Sequence, residues 1–245
     1  MWWDDRRRLR LWRKAMSLCR MDEEKTTGFW NWRAQLTARS GSIEVRITDA
    51  HCGDGKGAVV VVEGPEEFST LKLRRQYFKL WKREIEVGDE AFDKEFLIEG
   101  PLQPVAARLD AAVRGELLRA SAYGSSLEIS DGKLRVVVSE EKLPRILPTL
   151  VSIGRRFAEP LDVKSRLLHN ARRDREPGVR LFNLLLLVSE HPGDPDTLEA
   201  LRAACSDKSH KVRVRAAIEL GEKGRGVLLK LAETSNDDAS CARAV

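Results

Sequence analysis

The residues best suited to chemistry form a glycine-rich stretch, Asp49-Ala-His-Cys-Gly-Asp-Gly-Lys-Gly57. Aspartates among glycines are typical of calcium loops, and a Gly-Lys pair is typical of loops that cradle phosphate. Counted from Asp49, His51 and Gly53 stand where a calcium loop needs oxygen donors, and Ala50 stands where a phosphate loop needs its first glycine. Because glycines permit positive φ, we interpret the stretch as a long turn between two strands.

Two acidic residues, Asp89 and Asp93, stand about one helical turn apart. A carboxylate pair at this spacing suggests acid-base chemistry or metal binding. No histidine lies nearby in the sequence, and acidic side chains in such positions commonly cap helices. We therefore interpret Asp89 as the cap of a helical turn that carries Phe92.

Histidine and cysteine, which often serve as nucleophiles, bases and metal ligands, are few and dispersed. They are His51, His169, His191, His210, Cys19, Cys52, Cys205 and Cys241. None stands at the spacing of a catalytic triad or a C-x-x-C metal site, although partners can converge in space. We predict no catalytic, metal-binding or cofactor-binding residues, no cofactor, and a protein that is not an enzyme. The dispersed cysteines favour a reducing compartment, and we expect a cytoplasmic protein.

The positive charge of the chain is concentrated at its beginning. Residues 1–21 hold seven basic and two acidic residues, whereas the remainder holds 36 of each. The basic residues are Arg6, Arg7, Arg8, Arg10, Arg13, Lys14 and Arg20. As a helix, this segment would place Leu9, Trp12 and Met16 on one face among arginines, a composition typical of segments that bind membranes or nucleic acids. We nevertheless expect residues 1–27 to be a basic, poorly ordered segment.

Residues 28–160 alternate between strand and helix patterns, which predicts an α+β domain with a mainly antiparallel sheet and packed helices. Asp131-Gly132 is a strong signal for a two-residue hairpin turn. The predicted strands include 43–47, 58–63, 126–130 and 133–138, and the predicted helices are Phe29–Leu36, Leu102–Ala122 and Leu143–Ala158.

The last third of the chain, residues 161–245, contains a degenerate repeat. Val212, Ala216, Ala217 and Leu220 recur at helical spacing, and Gly221 supplies a stop. A shift of thirty residues turns Asp207 and Arg213 into Asp237 and Arg243, and a backward shift of thirty-three maps Val212-Arg213 onto Val179-Arg180. Such a period is typical of solenoids, whose helix pairs stack because one pair cannot bury its apolar face alone.

The pattern Asp207-x4-Val212-Arg213-x2-Ala216-Ala217-x2-Leu220-Gly221 resembles the bacterial HEAT-like repeat, in which an acidic turn leads into a Val-Arg and Ala-Ala helix. The resemblance implies an all-α segment of about two and a half helical repeats, the last one incomplete. A second stretch, Ile85–Gly100, resembles the motif I-x-I-G-D-x-x-F-D-x-x-F-x-I-x-G of uncharacterised bacterial domains of unknown function, and it implies architecture only.

These features predict a scaffold or protein-interaction module whose partner is another protein, since solenoids build extended binding faces. Lys211, Arg215 and Glu219, at i, i+4 and i+8 of one helix, are the candidate protein-binding residues. An alternative is peripheral association with a membrane or nucleic acid through the Arg/Trp-rich N-terminus. An enzyme is a third class, because some helical-repeat proteins act on tetrapyrroles or damaged DNA; it would require a cleft with convergent titratable groups.

Overall fold

The structure is a computed structural model, and it describes residues 2–21, 23–25, 35–52, 55–65, 71–76 and 85–234. The chain divides into two compact units. The first unit is Met1–Ile85, Lys94–Val105 and Ala112–Pro160, and the second unit is Glu86–Asp93, Ala106–Ala111 and Leu161–Val245. The second unit thus takes in two short segments that the sequence analysis assigned to the α+β domain.

The first unit is built on an antiparallel sheet, which has eight strands within the described part of the chain. The strands are β1 Glu23–Lys25, β2 Gln35–Ser40, β3 Ile43–Cys52, β4 Gly55–Glu63, β5 Lys72–Arg75, β6 Phe96–Glu99, β7 Ser126–Ser130 and β8 Lys133–Ser139. Their order across the sheet is β1-β2-β3-β4-β8-β7-β5-β6. This confirms the predicted α+β architecture with a mainly antiparallel sheet, followed by a helical segment.

Period-two patterning explains how this sheet builds a core. Val45 pairs with Val62, and Val60 pairs with both Ile47 and Val136, and all five side chains are buried. Alternate residues of each strand point to opposite faces, so these apolar residues line one face together. The predicted hairpin at Asp131-Gly132 is confirmed, because both residues have the positive φ that a two-residue turn requires.

Two expectations for this region need correction. The turn predicted over Asp49–Gly57 is shorter, because β3 and β4 stay paired as far as Cys52 and Gly55. The helix predicted over Phe29–Leu36 lies mostly outside the described residues, and its end, Gln35–Leu36, belongs to β2. Ladder hydrogen bonds and the burial of Leu36 favour the strand there.

Five helices accompany the sheet in the chain up to residue 160, within the described part. They are α1 Trp2–Ser17, α2 Glu90–Glu95, α3 Leu102–Arg108, α4 Ala111–Tyr123 and α5 Leu143–Ala158. Helix α5, whose bounds match the prediction, packs across β3, β4 and β8, and α1 packs against α5 and β2. The described helices include none long and apolar enough to cross a membrane.

The N-terminal segment differs from the expected poorly ordered tail, because α1 is a helix with one fully buried face. Trp12 and Ala15 are 0% exposed, and Met16 is 2% exposed. Burying a Trp and a Met contributes about 1.5–3 kcal/mol each, which offsets part of the entropy lost when the helix is ordered. Arg155 also holds the end of the helix, since its Nη2 donates to the carbonyl oxygen of Cys19 at 2.8 Å.

The helix predicted over Leu102–Ala122 is divided between α3 and α4, with a break at Leu109 and Asp110. The buried amide of Asn170 donates to the carbonyl oxygen of Ala106 at 3.2 Å, so this carbonyl is satisfied from outside the helix. Ala106 and Ala107 belong to the core of the second unit. Tertiary contacts therefore override an apolar spacing that continues through the break.

Beyond residue 160, the described part of the second unit holds five α-helices and a 3-10 helix at Gly221–Gly224. The α-helices are α6 Val163–Arg173, α7 Pro177–Glu190, α8 Pro195–Ala204, α9 His210–Glu219 and α10 Arg225–Thr234. Helix α6 packs on α7 and α8, and α9 packs on α7 and α8. The pairs α6/α7 and α8/α9 therefore stack on each other. Residues 235–245, including Asp237 and Arg243 of the proposed last repeat, lie outside the described residues.

Candidate protein-interaction surface

The carboxylate pair suggested by the sequence is engaged by backbone groups. Asp89 caps α2 as predicted, because its Oδ1 accepts the Phe92 N–H at 3.2 Å. Asp93 accepts the Val87 N–H on Oδ1 at 3.0 Å and the Gly88 N–H on Oδ2 at 2.9 Å. Burial raises the pKa of the Asp93 carboxyl, and the two backbone hydrogen bonds offset part of this effect. The role of Asp93 in the described structure is therefore to close the turn at residues 86–93.

We expect Asp93→Asn to lower the free energy of unfolding by about 1–3 kcal/mol, because an amide has only one acceptor oxygen and leaves one of the two N–H groups unsatisfied. Denaturant unfolding at neutral pH measures this cost. Asp131→Asn is the control, since Asp131 is exposed in a hairpin turn with positive φ, which Asn tolerates. Equal unfolding midpoints for the two variants would contradict this role for Asp93.

Charged residues also line a surface cleft of about 460 Å³ in the first unit. Glu44 lies there between two guanidinium groups, with Arg39 Nη2 at 2.8 Å and Arg46 Nη2 at 2.9 Å. Hydrogen bonds from Arg39 and Arg46 hold the pKa of the Glu44 carboxyl below its usual value. The group therefore remains a carboxylate at neutral pH, which suits a structural ion-pair network better than proton transfer.

The cysteines and metal-ligand residues give no reactive cluster within the described part of the chain. Burial raises the pKa of the Cys19 thiol to about 11, and Arg155 offsets only part of this effect. Burial also raises the pKa of Cys205. Both are therefore protonated thiols at neutral pH, whereas nucleophilic cysteines need a lowered pKa. Among the described residues, no three His, Cys, Asp or Glu side chains are arranged to hold a metal ion.

The helical unit, in contrast, repeats one polar arrangement at two places. Arg213 Nη1 donates to the carbonyl oxygens of Asp207 at 2.8 Å and Lys208 at 3.0 Å. Thirty-three residues earlier, Arg180 Nη1 donates to the carbonyl oxygens of Asp174 at 2.9 Å and Arg175 at 3.0 Å. We call each arrangement an arginine clasp. The arginine of the Val-Arg pair ties its helix to the turn that precedes it.

The aspartates of the two turns also have equivalent roles. Oδ1 of Asp174 accepts the Glu176 N–H at 3.0 Å, and Oδ1 of Asp207 accepts the Ser209 N–H at 2.7 Å. Ser209 occupies the cap position of α9 but makes no side-chain cap hydrogen bond. Asp174 therefore supplies the acidic turn before Val179, which the sequence analysis did not identify. It lies thirty-three residues before Asp207, the same shift that relates Arg180 to Arg213.

Ion pairs join the two stacked helix pairs. Arg180 and Asp207 form a bidentate pair, with Nε–Oδ2 at 2.8 Å and Nη2–Oδ1 at 2.6 Å. Burial alone would raise the pKa of the Asp207 carboxyl, but hydrogen bonds from Arg180 and the Ser209 N–H outweigh it and hold that pKa below its ordinary value. Between the other two helices, Lys164 of α6 lies 2.9 Å from Asp194, the N-cap of α8.

The predicted binding residues lie on α9, whose opposite face is fixed in the core by Val212, Ala216 and Ala217. Lys211 is exposed, and the Arg215 side chain is 49% exposed. Arg215 Nη2 lies 2.7 Å from Glu219 Oε1, so these two residues form an i,i+4 ion pair that does not include Lys211. Glu219 is only 20% exposed and mainly orients Arg215.

One residue on this surface was missed by the sequence analysis. Ile218 is 42% exposed, one turn after Arg215 and two turns after Lys211 along the same helix. The thirty-three-residue shift pairs it with Leu185, a half-buried apolar residue of α7. We call Lys211, Arg215 and Ile218 the α9 surface.

Comparisons of the chain with protein-family models, with curated proteins and with solved structures give no match.

Proposed function

We propose that the second unit is a short stack of HEAT-like repeats that acts as a scaffold by binding another protein through the α9 surface. The observation that carries this proposal is the arginine clasp, which recurs at the same positions of the sequence pattern that suggested the repeat. Residues that resemble a repeat in sequence thus make repeated contacts, as expected for units that stack with a constant geometry.

The bidentate Arg180–Asp207 pair supports the same interpretation. It joins one helix pair to the next, and it uses the arginine of one clasp and the aspartate of the other. A contact between the arginine of one helix pair and the aspartate of the next helps to fix the spacing and rotation of the two pairs, and these determine the shape of a solenoid surface. Such a frame holds exposed side chains in a constant arrangement, which reduces the entropy lost when a partner binds.

The α9 surface has the composition of a small binding site. Ile218 offers apolar area, and Lys211 and Arg215 provide positive charge beside it. Protein interfaces commonly combine an apolar centre with a polar rim, and arginine is enriched in them. The complementary partner surface is an apolar patch flanked by acidic residues.

Site-specific photocrosslinking in the full chain tests this proposal. A photoreactive residue replaces Ile218 in one variant and Arg202, an exposed residue of α8, in the matched control. We expect one predominant protein to crosslink from position 218 and not from position 202. Lys211→Glu with Arg215→Glu should then reduce its affinity by at least about tenfold, because reversed rim charges face the acidic patch. Identical crosslinks from both positions, or none, would refute the proposal.

A further inference from the structure

The outward face of α1 is a second surface, independent of the α9 surface. Its inward face is fixed by Trp12, Ala15 and Met16, so the orientation of the helix is determined. Residues 6–17 contain no acidic residue. The exposed side chains Arg6, Arg7, Arg10 and Lys14 therefore project from one side of a fixed helix. Arg8, in contrast, is directed toward the protein, where it bonds Glu140.

Two leucines border this basic face. Leu11 is 41% exposed, and Leu18, in the turn after α1, is 59% exposed. Residues at i, i+4 and i+7 follow one line along a helix, so Arg7, Leu11 and Lys14 form a single stripe of mixed charge and apolar area. Leu18 follows in the turn directly after the helix. The apolar residues suggested by the sequence, Trp12 and Met16, have the opposite orientation and are buried.

We infer that α1 binds an anionic membrane surface. The cations span about 12 Å along the helix, which is a compact basic footprint for lipid phosphates. The positive charge alone would complement nucleic acid equally well. The exposed leucines beside the cations, however, are complementary to a partner that offers an apolar region next to its phosphates. A bilayer interface offers this combination, since acyl chains lie directly beneath the headgroups.

The geometry also defines how the surface is used. An interfacial helix lies parallel to the membrane with its leucines at the acyl boundary and its long basic side chains extended to the headgroups. In α1, Leu11 and Leu18 lie beside Arg6 and Arg10. One orientation of the helix therefore places the leucines at the acyl boundary and the arginines at the headgroups. The helix needs no refolding, because its buried face stays on the protein.

Flotation of the full chain with lipid vesicles tests this inference. Vesicles contain phosphatidylcholine alone or phosphatidylcholine mixed with phosphatidylglycerol. We expect at least about tenfold tighter binding to the anionic vesicles, because each cation near an anionic surface adds attraction. Raising NaCl from about 0.1 M to about 1 M should weaken this binding, since the Debye length falls from about 10 Å to about 3 Å.

Three double variants separate the contribution of charge to vesicle binding from that of apolar insertion. Arg6→Gln/Arg10→Gln and Leu11→Ser/Leu18→Ser should each weaken vesicle binding by about tenfold or more, through lost charge and lost apolar insertion respectively. Lys72→Gln/Arg74→Gln, which removes two exposed cations on β5, should bind like the parent chain. All three change exposed residues, so circular dichroism should be unaltered.

Equal affinity for neutral and anionic vesicles would overturn the inference. It would also be overturned if the leucine variant bound vesicles as well as the parent chain. If short duplex DNA bound through Arg6 and Arg10 while vesicles did not, the surface would belong to the nucleic-acid class instead. These readouts do not involve α9, so their failure leaves the proposed scaffold function standing.

Discussion

Gly88→Ala should lower the free energy of unfolding by at least about 3 kcal/mol, the largest effect we expect from adding a single methyl group. A Cβ on Gly88 would lie 2.6 Å from the carbonyl oxygen of Gly178 and 2.8 Å from the backbone nitrogen of Val179. These are backbone atoms, which cannot move aside as a side chain can. Gly88 also has a φ of +89°, which adds strain for any residue with a Cβ.

Gly178→Ala should be destabilising as well, although it places a better helix former in α7. Its Cβ would lie 3.0 Å from the carbonyl carbon of Gly88. Gly226→Ala is the matched control, because Gly226 is also the second residue of a helix and has open space around it. Gly221→Ala controls for positive φ alone, since its φ is +60° with nothing within 4 Å. If Gly88→Ala lowered the free energy of unfolding no more than Gly221→Ala, the close approach of Gly88 to the backbone of Gly178 would not limit this position.

Arg180→Met should lower the free energy of unfolding by about 3–5 kcal/mol, because it leaves the Asp207 carboxylate without its main partner. The Arg180 and Asp207 side chains are only 11% and 13% exposed, so water replaces little of the lost interaction. The same change removes the clasp on the carbonyl oxygens of Asp174 and Arg175. Denaturant unfolding of the full chain measures the loss.

Arg172→Met provides the comparison for this prediction, because Arg172 pairs with Glu199 between the same helix pairs but at 38% and 68% exposure. An exposed pair contributes at most about 1 kcal/mol. Equal costs for Arg180→Met and Arg172→Met would show that Arg180–Asp207 does not join the helix pairs strongly.

The same ion pair gives a pH dependence with a definite sign. The pKa of Asp207 is lower in the folded chain than its ordinary value, so the carboxylate stabilises the fold above an unfolded-state pKa of about 3.9. This stability is lost as the pH falls through the folded-state pKa. The difference in unfolding free energy between the parent chain and Asp207→Asn should therefore be largest near neutral pH and shrink in acid.

Local patterns in the sequence predicted most elements of the first unit. The alternation of Ile43, Val45 and Ile47 identified β3, and the spacing within Leu143–Ala158 identified α5, because burial of one face dictates each period. The order of the strands was not predictable, since the neighbours β4 and β8 are far apart in the chain. The break between α3 and α4 was missed because a distant residue, Asn170, supplies its hydrogen bond.

For the candidate surface, the sequence identified the helix and its charged residues but not the contacts that hold it. Arg213 was part of the repeat pattern, but the spacing of residues does not show where the backbone carbonyl groups of the preceding turn lie. Its hydrogen bond to the Asp207 carbonyl oxygen was therefore not predicted. The apolar face of α1 has a related limit for prediction from sequence. Trp12 and Met16 do share a face, as predicted, but a single sequence does not show whether such a face meets the protein or a membrane.

The interleaving of the two units restricts how this gene can be divided or recombined. The core of the second unit includes Ala106 and Ala107, and Gly88 makes a close backbone contact with Gly178 of the same unit. During translation, the segments that hold these residues leave the ribosome long before α6 to α9 exist. A segment beginning at Leu161 would lack these pieces, so recombination at that point would transfer an incomplete second unit.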